Sequence, residues 1–436
     1  MAGILTKRLR RWTKHGLRLA FSWLPREMRF AMIRNLVDCD PQPSDRLELK
    51  IAETGDELQA CFALLHDAYV AAGYMKPHPS GLRVTPYHAL PTTTTVCAKF
   101  DGQVVGTLSM VRDGVFGLPL QSAFDLAAVR RQGGQIAEIS ALAIHPAHRR
   151  TGGTILFPLM KYMYTYCTQY FDTRHLVIAV NPDRIELYEA LLLFQRLQAA
   201  VVDRYDFANG APAVGAVLDL AAAPAAFECL YGQRRPHKNL HAYFTRVQLP
   251  NLRMPPRRYY TTNDPVMTPA LLDQFFNRLT QGFAALDLRQ RRLMHAIYDR
   301  PEYADVLPDA DPGTLGGAAL RRHRRYSIRF PAVFTPAGPA ARRCSLLLHE
   351  ISHSGCQVTA APHPLVVGSE GSLLVQLGAG ESVTVSARVM REASPGAWGL
   401  WVASPEAGWC DCVAALERGT TYRELGASDL SESTTA

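Results

Sequence analysis

The chain has 436 residues, 47% apolar and 20% charged, which is the composition of an ordinary globular protein and enough length for two or three domains rather than one. No run approaches the ~18 unbroken apolar residues of a transmembrane helix, and Arg18 interrupts the only candidate for a secretory signal. The formal net charge is +8, and residues 1–35 alone, with nine Lys/Arg against Glu27, account for all of it. Nine cysteines, scattered apart from Cys410 and Cys412, form no zinc-like double pair, so reduced thiols in a cytoplasm are expected.

In the basic segment Leu5, Leu9, Trp12, Leu19 and Trp23 recur at helical spacing. Such a helix suits an anionic membrane surface or an acidic protein partner, or packs on the body by its apolar stripe. Residues 36–45 read as a linker. Leu47 to Ala52 alternates as a strand, and Asp56 to Met75 has helical periodicity. Thr93 to Phe100 and Val104 to Val111 flank Asp101-Gly102, a hairpin signal. Ile136 to Ile144 is an apolar run broken by His145-Pro146. A basic, glycine-containing turn follows (Arg149, Arg150, Thr151, Gly152, Gly153, Thr154), then a helical pattern from Ile155 to about Phe171. Strand, turn and helix start together offer free N–H groups, a helix dipole and two arginines, the elements of a phosphate site. Leu176 to Val180 is a second strand, followed by Asn181-Pro182 and a helix carrying Tyr188 and ending near Phe194. Val201 to Phe207 and Val214 to Leu220 flank Asn209-Gly210, another hairpin signal. Thr268-Pro269 opens a capped helix through Leu271, Leu272, Phe275, Phe276 and Leu279. Residues 308–317 form the clearest boundary. Beyond them, 318–420 alternates like strands until a helix at Cys410 to Arg418, and a polar tail follows from about Ala427.

Arg149, Gly152 and Thr154 resemble the R-x-x-G-x-G/A acyl-donor loop of the GNAT acyltransferase superfamily, and Val180, Asn181, Pro182, Tyr188 and Phe194 resemble its V-N-P…Y…F segment. Thr154 departs from the small third residue. The segments Leu90–Thr94, Gly106–Ser109, Gly117–Pro119 and Ala137–Ser140 are similar to the long-chain N-acyl amino acid synthases, relatives of the acyl-homoserine lactone synthases. The resemblance spans roughly residues 47–300. Where the lactone synthases carry E-x-S-R, this chain has Glu138 and Ser140 followed by Ala141. The resemblance therefore implies a free amino acid acceptor and a fatty acyl donor on acyl carrier protein or coenzyme A.

In such a reaction, backbone N–H groups near Leu142 to Ile144 polarise the thioester carbonyl, Glu138 accepts the amine proton, and Tyr188 protonates the leaving thiolate. The donor's phosphopantetheine phosphate sits on Arg149, Arg150, Gly152, Gly153 and Thr154, with Asn181 beside it. Bland alternatives stand next to each assignment. Glu138 alternates with apolar neighbours and can be structural, Ser140 can be a packed small residue, Tyr188 can be core, and the arginines can be surface charge. His145 and His148 lack partners for a metal set, and no metal is expected.

In the C-terminal part, Arg321, Arg322 and Arg325 give R-x-x-x-R, and Glu350, Ser352 and Gly355 give E-x-S-x-x-G. Their order and spacing resemble the PilZ domain, a small β-barrel that binds cyclic di-GMP. Arginines clamp phosphates and stack on guanine; Glu350 is one methylene longer than the usual Asp. The arginine cluster lacks the aromatic platform of a nucleic-acid site.

The expected class is α+β. A basic segment and linker (1–45) precede a GNAT fold of mixed, mostly antiparallel sheet flanked by helices, with a helical extension (46–307), and an all-β PilZ barrel follows (318–425). The expected activity is N-acyl transfer to an amino acid, modulated by cyclic di-GMP, in a cytoplasmic protein peripheral on the inner membrane. The competing classes are a non-catalytic cyclic di-GMP effector with a degenerate acyltransferase body, and an ordinary acyl-CoA transferase.

Overall fold

The computed structural model describes residues 23–114, 116–149, 151–169, 173–255, 259, 267–298, 301–310, 326–338, 342–360, 365–378, 380–394 and 396–418. Arg150, Arg321, Arg322, Arg325 and most of the basic amphipathic segment (Leu5, Leu9, Trp12 and Leu19 included) lie outside the described residues.

The described chain starts with a helix, α1 (Arg26–Asn35), then β1 (Leu47–Ile51) and α2 (Gly55–Ala72). Helix α2 begins where the Thr54 side chain accepts from the Glu57 N–H, and ends at Gly73, whose φ of 78° only glycine adopts freely. The expected hairpin follows as β2 (Thr93–Phe100) and β3 (Gln103–Arg112). Asp101 and Gly102 both have positive φ, 50° and 77°, as a primed turn requires. A short helix α3 (Ala127–Arg131) leads to β4 (Gln135–Ile144), α4 (Leu156–Gln169), β5 (Thr173–Val180) and α5 (Ile185–Leu192). Strands β6 (Gln195–Arg196), β7 (Val202–Tyr205) and β8 (Ala211–Asp219) complete the sheet. Its order is β1-β2-β3-β4-β5-β8-β6, with β7 pairing β8, and only β4–β5 is parallel.

Two further helices, α6 (Ala223–Tyr231) and α7 (Leu240–Thr245), cover the face on which α4 packs. The other face carries α2 and the helical extension, where Phe62, Phe275 and Phe276 are fully buried. The helix expected after Thr268 is capped as foreseen, yet α8 is only Pro269–Leu272 and the chain widens into a π-helical stretch, Asp273–Leu279. Adjacent Phe275 and Phe276 both enter the core there. Helix α9 (Leu288–Ile297) closes the extension with an Asp287–Gln290 capping box.

The C-terminal part is a closed antiparallel barrel of β9 (Tyr326–Pro336), β10 (Cys344–Ser352), β11 (Gly355–Ala360), β12 (Glu370–Gly378), β13 (Glu381–Ser394) and β14 (Ala397–Val402), ordered β10-β11-β14-β13-β12-β9. Helix α10 (Ala407–Arg418) starts three residues before the expected Cys410 and plugs the barrel with Trp409, whose indole Nε1 donates to the Ser352 carbonyl at 3.0 Å. Tyr259 packs into the barrel core. Arg329 of β9 donates to the Thr168 and Gln169 carbonyls at 2.6 and 3.0 Å, placing a cation on the C-terminal end of α4.

Candidate active site

The site forms where the sheet opens. Strands β4 and β5 pair only from Gln135 to Glu138 with Thr173 to Val177; beyond Glu138 they part. On its other edge β4 slips register against β3, between Thr107↔Ala143 and Ser109↔Ser140, and Ala141 takes a φ of 54°. A non-glycine residue in that region costs of order 1 kcal/mol, and such bulges re-aim strand side chains. The opening is a cleft of about 310 Å³ lined by Glu138, Ser140, Asn181, Arg184, Tyr188 and Tyr205, among others. Four of the sequence-derived residues are thus brought together.

Glu138 is 2% exposed. Burial pushes its carboxyl up to about 8, against the opposing effect of the Leu120 N–H, which donates to Oε2 at 2.8 Å. The carboxyl therefore carries a proton at neutral pH and exchanges it just above. Burial also raises the Tyr188 phenol, with Arg184 opposing, so it stays a protonated donor. Its ring sits edge-on to Phe194, 6.1 Å between centroids. Ser140 is half-buried on the cleft wall opposite Ser109 of β3. Asn181 uses its side-chain oxygen to accept from the Asp183 N–H at 2.9 Å, so its described role is to shape the turn into α5.

The basic, glycine-containing turn lies apart from these residues. Gly153 and Thr154 line a second hollow, of about 430 Å³, together with His148, Thr151, Phe100 and Asp40. Gly152 and Gly153 have φ of 69° and 95°, and a Cβ on Gly153 would meet the Phe157 ring at 2.6 Å, so glycine is required there twice over. The Thr151 and Thr154 hydroxyls share a hydrogen bond of 2.6 Å. The Arg149 Nε donates to the Ile144 carbonyl at 2.7 Å, tying the loop to the end of β4. Asp40 puts a like charge against any phosphate in this hollow.

In the barrel, β9 and β10 are paired, and only the second of the two signatures, Glu350 to Gly355, falls on described residues. Glu350 pairs in register with Ser327, two residues after Arg325, at a bulge in β10. The Ser352 hydroxyl donates to the Gly355 carbonyl at 3.0 Å, closing the β10–β11 turn. Glycine at 355 lets β11 and β14 approach closely, because a Cβ there would stand 2.6 Å from the Leu400 carbonyl oxygen of β14.

Three features of the site were not legible. Tyr205 buries a hydroxyl without a hydrogen-bond partner on the cleft wall, its phenol raised by burial and by Glu138. Tyr87, in the loop before β2, has its phenol pushed up to about 12 by burial and then by the charge of Glu138. The cleft also shares Met160, Met163, Leu192 and Phe194 with a neighbouring apolar cavity reaching Phe227 and Phe244. No sequence signal marks them, because each depends on chain folding back from β7, the loop before β2 or α6.

Residues 60–219 match the family model described as N-acyl amino acid synthase FeeM, and residues 319–402 match that of the PilZ domain. The chain joins a FeeM-type domain to a PilZ domain. Among solved structures it is similar to FeeM, an N-acyl amino acid synthase from uncultured soil microbes, at 25% identity over 41% of this chain and 93% of that one, with a TM-score of 0.36. The AHL synthase LasI is 17% identical over 43% of this chain and 95% of that one, with a TM-score of 0.33. The CoA-dependent acyl-homoserine lactone synthase BjaI, solved with SAM and isopentyl-CoA, is 18% identical over 48% and 92%, with a TM-score of 0.34. No curated protein matches. Among the described residues no helix is long and apolar enough to cross a membrane, and no cluster of metal-ligating side chains is found.

Proposed function

We propose that the protein moves a long-chain fatty acyl group from acyl carrier protein or acyl-CoA to the α-amine of an amino acid, under the control of cyclic di-GMP bound by the barrel. The observation that carries the transfer reading is the buried Glu138 carboxyl, held by the Leu120 N–H, in one cleft with Tyr188. Ionised Glu138 takes a proton from the acceptor ammonium. The free amine attacks the thioester carbonyl, whose oxygen accepts from backbone N–H groups on β4 beyond the bulge. The C–N bond forms and the C–S bond breaks; the leaving thiolate takes a proton from Tyr188, the attacking nitrogen gives its second proton to the resulting tyrosinate, and Glu138 releases the first to solvent. The acyl chain lies in the 310 Å³ cleft and passes Met160 and Met163 towards the apolar cavity beneath α6 and α7, which at about 40 Å³ must widen to take more than its first carbons. Flexible methionines suit an entrance that must adapt to a chain. The donor phosphopantetheine lies along Arg149, Arg150 and Gly152 to Thr154.

For regulation, Arg321, Arg322 and Arg325 clamp the cyclic dinucleotide with Glu350 at the barrel mouth. Arg329, four residues past Arg325, is hydrogen-bonded to the end of the helix that begins at the donor loop. That supports a mechanical link from ligand to donor site. Two experiments test this reading. Lipid extracts of expressing cells, compared by mass spectrometry with an empty-vector strain, are expected to contain N-acyl amino acids that an inactive Glu138 variant lacks. Calorimetry on the full chain is expected to show cyclic di-GMP binding that Arg325→Ala abolishes; no heat in either protein would remove the regulatory part alone.

A further inference from the structure

Helix α1 is packed by its charges and exposed by its apolar residues. Arg26 pairs with Glu189 at 3.0 Å and Arg29 with Glu186 at 2.5 Å, both carboxylates on α5. The Arg34 Nε donates to the Ala190 carbonyl at 2.9 Å, and Arg26 and Arg34 flank the Phe30 ring at 4.8 and 5.7 Å. Opposite this face Met28, Met32 and Leu36 stand 53, 49 and 80% exposed, and Trp23 at the helix entrance is 87% exposed. Residues 28, 32 and 36 recur every four positions, so they form one stripe. Scattered exposed apolar residues need no explanation, but an aligned stripe beginning at a tryptophan does.

We propose that this face of α1 lies on an anionic lipid surface. Two features on the page select lipid over a protein partner. Of the three arginines on α1, Arg26 and Arg29 are turned to Glu189 and Glu186 and Arg34 to the Ala190 carbonyl, so the apolar face itself carries no arginine to offer an acidic protein. The preceding residues 1–22 carry six Lys/Arg and no acid, so the stripe continues directly into a segment of charge +6. Apolar side chains inserted at headgroup depth beside a basic segment form the two-signal arrangement of peripheral binding. The placement fits the proposed reaction, on which its purpose but not its test depends. Helix α1 is clamped to α5, which carries Tyr188 and walls the acyl cavity with Leu192, and a long-chain N-acyl product is an amphiphile whose natural sink is a bilayer.

The test is flotation of the full chain with vesicles, without substrate. Wild type is expected to float with phosphatidylcholine vesicles containing an equal share of phosphatidylglycerol, and not with phosphatidylcholine alone. The triple variant Met28→Gln, Met32→Gln and Leu36→Gln keeps every charge and alters only exposed side chains. It is expected to lose at least about tenfold in bound fraction at an unchanged melting temperature. Equal flotation of the variant and wild type would assign binding to residues 1–22 alone and overturn the role of α1. Failure of wild type to float, with retention on acidic acyl carrier protein instead, would overturn the lipid assignment in favour of a protein. None of these results alters the acyltransferase reading, which is scored by product formation.

Discussion

Replacing Glu138 with Gln is expected to slow the enzyme while making the fold more stable at neutral and alkaline pH. The carboxyl's ordinary value of 4.5 rises to about 8 in the folded protein. The folded state therefore keeps a proton that the unfolded chain gives up within that interval. The stability contributed by the protonated group is complete below about pH 4.5 and is lost as pH rises through about 8. At about 1.4 kcal/mol per pH unit, that interval is worth roughly 5 kcal/mol, most of it already lost at pH 7. Glutamine is isosteric, does not ionise, and its side-chain oxygen can still accept from Leu120 N–H, so the variant escapes the loss. Thermal or urea unfolding of both proteins from pH 4.5 to 9 should show a stability gap that widens with pH up to about 8 and then levels. In the same variant kcat should fall about 10²–10⁴-fold, and the acid limb of the rate profile near pH 8 should disappear. A gap independent of pH would refute the buried protonated carboxyl, and near-normal turnover in a folded variant would remove Glu138 as the base.

Three further substitutions probe the rest of the site. Tyr188→Phe keeps the ring contact with Phe194 and removes only the acid, so kcat is expected to fall about 10–100-fold with little change in donor KM; unchanged kcat means the thiolate leaves unprotonated or takes its proton elsewhere. Ala223→Leu adds bulk to the apolar cavity, which Ala223 lines, and is expected to shift products towards shorter acyl chains by mass spectrometry; an unaltered chain profile places the acyl group elsewhere. Arg329→Ala removes both hydrogen bonds to the end of α4, worth about 1–3 kcal/mol. It should abolish the change in rate on adding cyclic di-GMP while leaving nucleotide binding intact; an undiminished response excludes this contact as the link.

Elements whose signals are local were legible in the sequence. The Asp101-Gly102 turn, the Thr268 cap and the strand–turn–helix around Gly152 and Gly153 each state their geometry within a few residues. Gathering Glu138, Ser140, Asn181 and Tyr188 was also readable, since the four lie on a strand, a turn and a helix that the GNAT pattern places side by side. What each side chain does there was less so. Asn181 and Ser352 spend hydrogen-bonding capacity on their own turns, which spacing alone cannot distinguish from holding a ligand. The π-helical stretch at Asp273 was not legible, because the apolar spacing of Leu271, Leu272, Phe275, Phe276 and Leu279 fits an ordinary helix equally well. The orientation of α1 followed from Glu186 and Glu189, some 160 residues away, so a helical wheel could show the stripe but not which side faces out.

The central claim is tested most directly with the purified full chain, a long-chain acyl thioester on carrier protein or coenzyme A, and a mixture of amino acids. Thiol release is followed spectroscopically and products by mass spectrometry. The account predicts release that depends on amino acid, with an N-acyl amino acid formed in equal amount, and loss of both in Glu138→Gln. Thiol release that ignores amino acids, or no amide product from a protein that binds the donor, would contradict it.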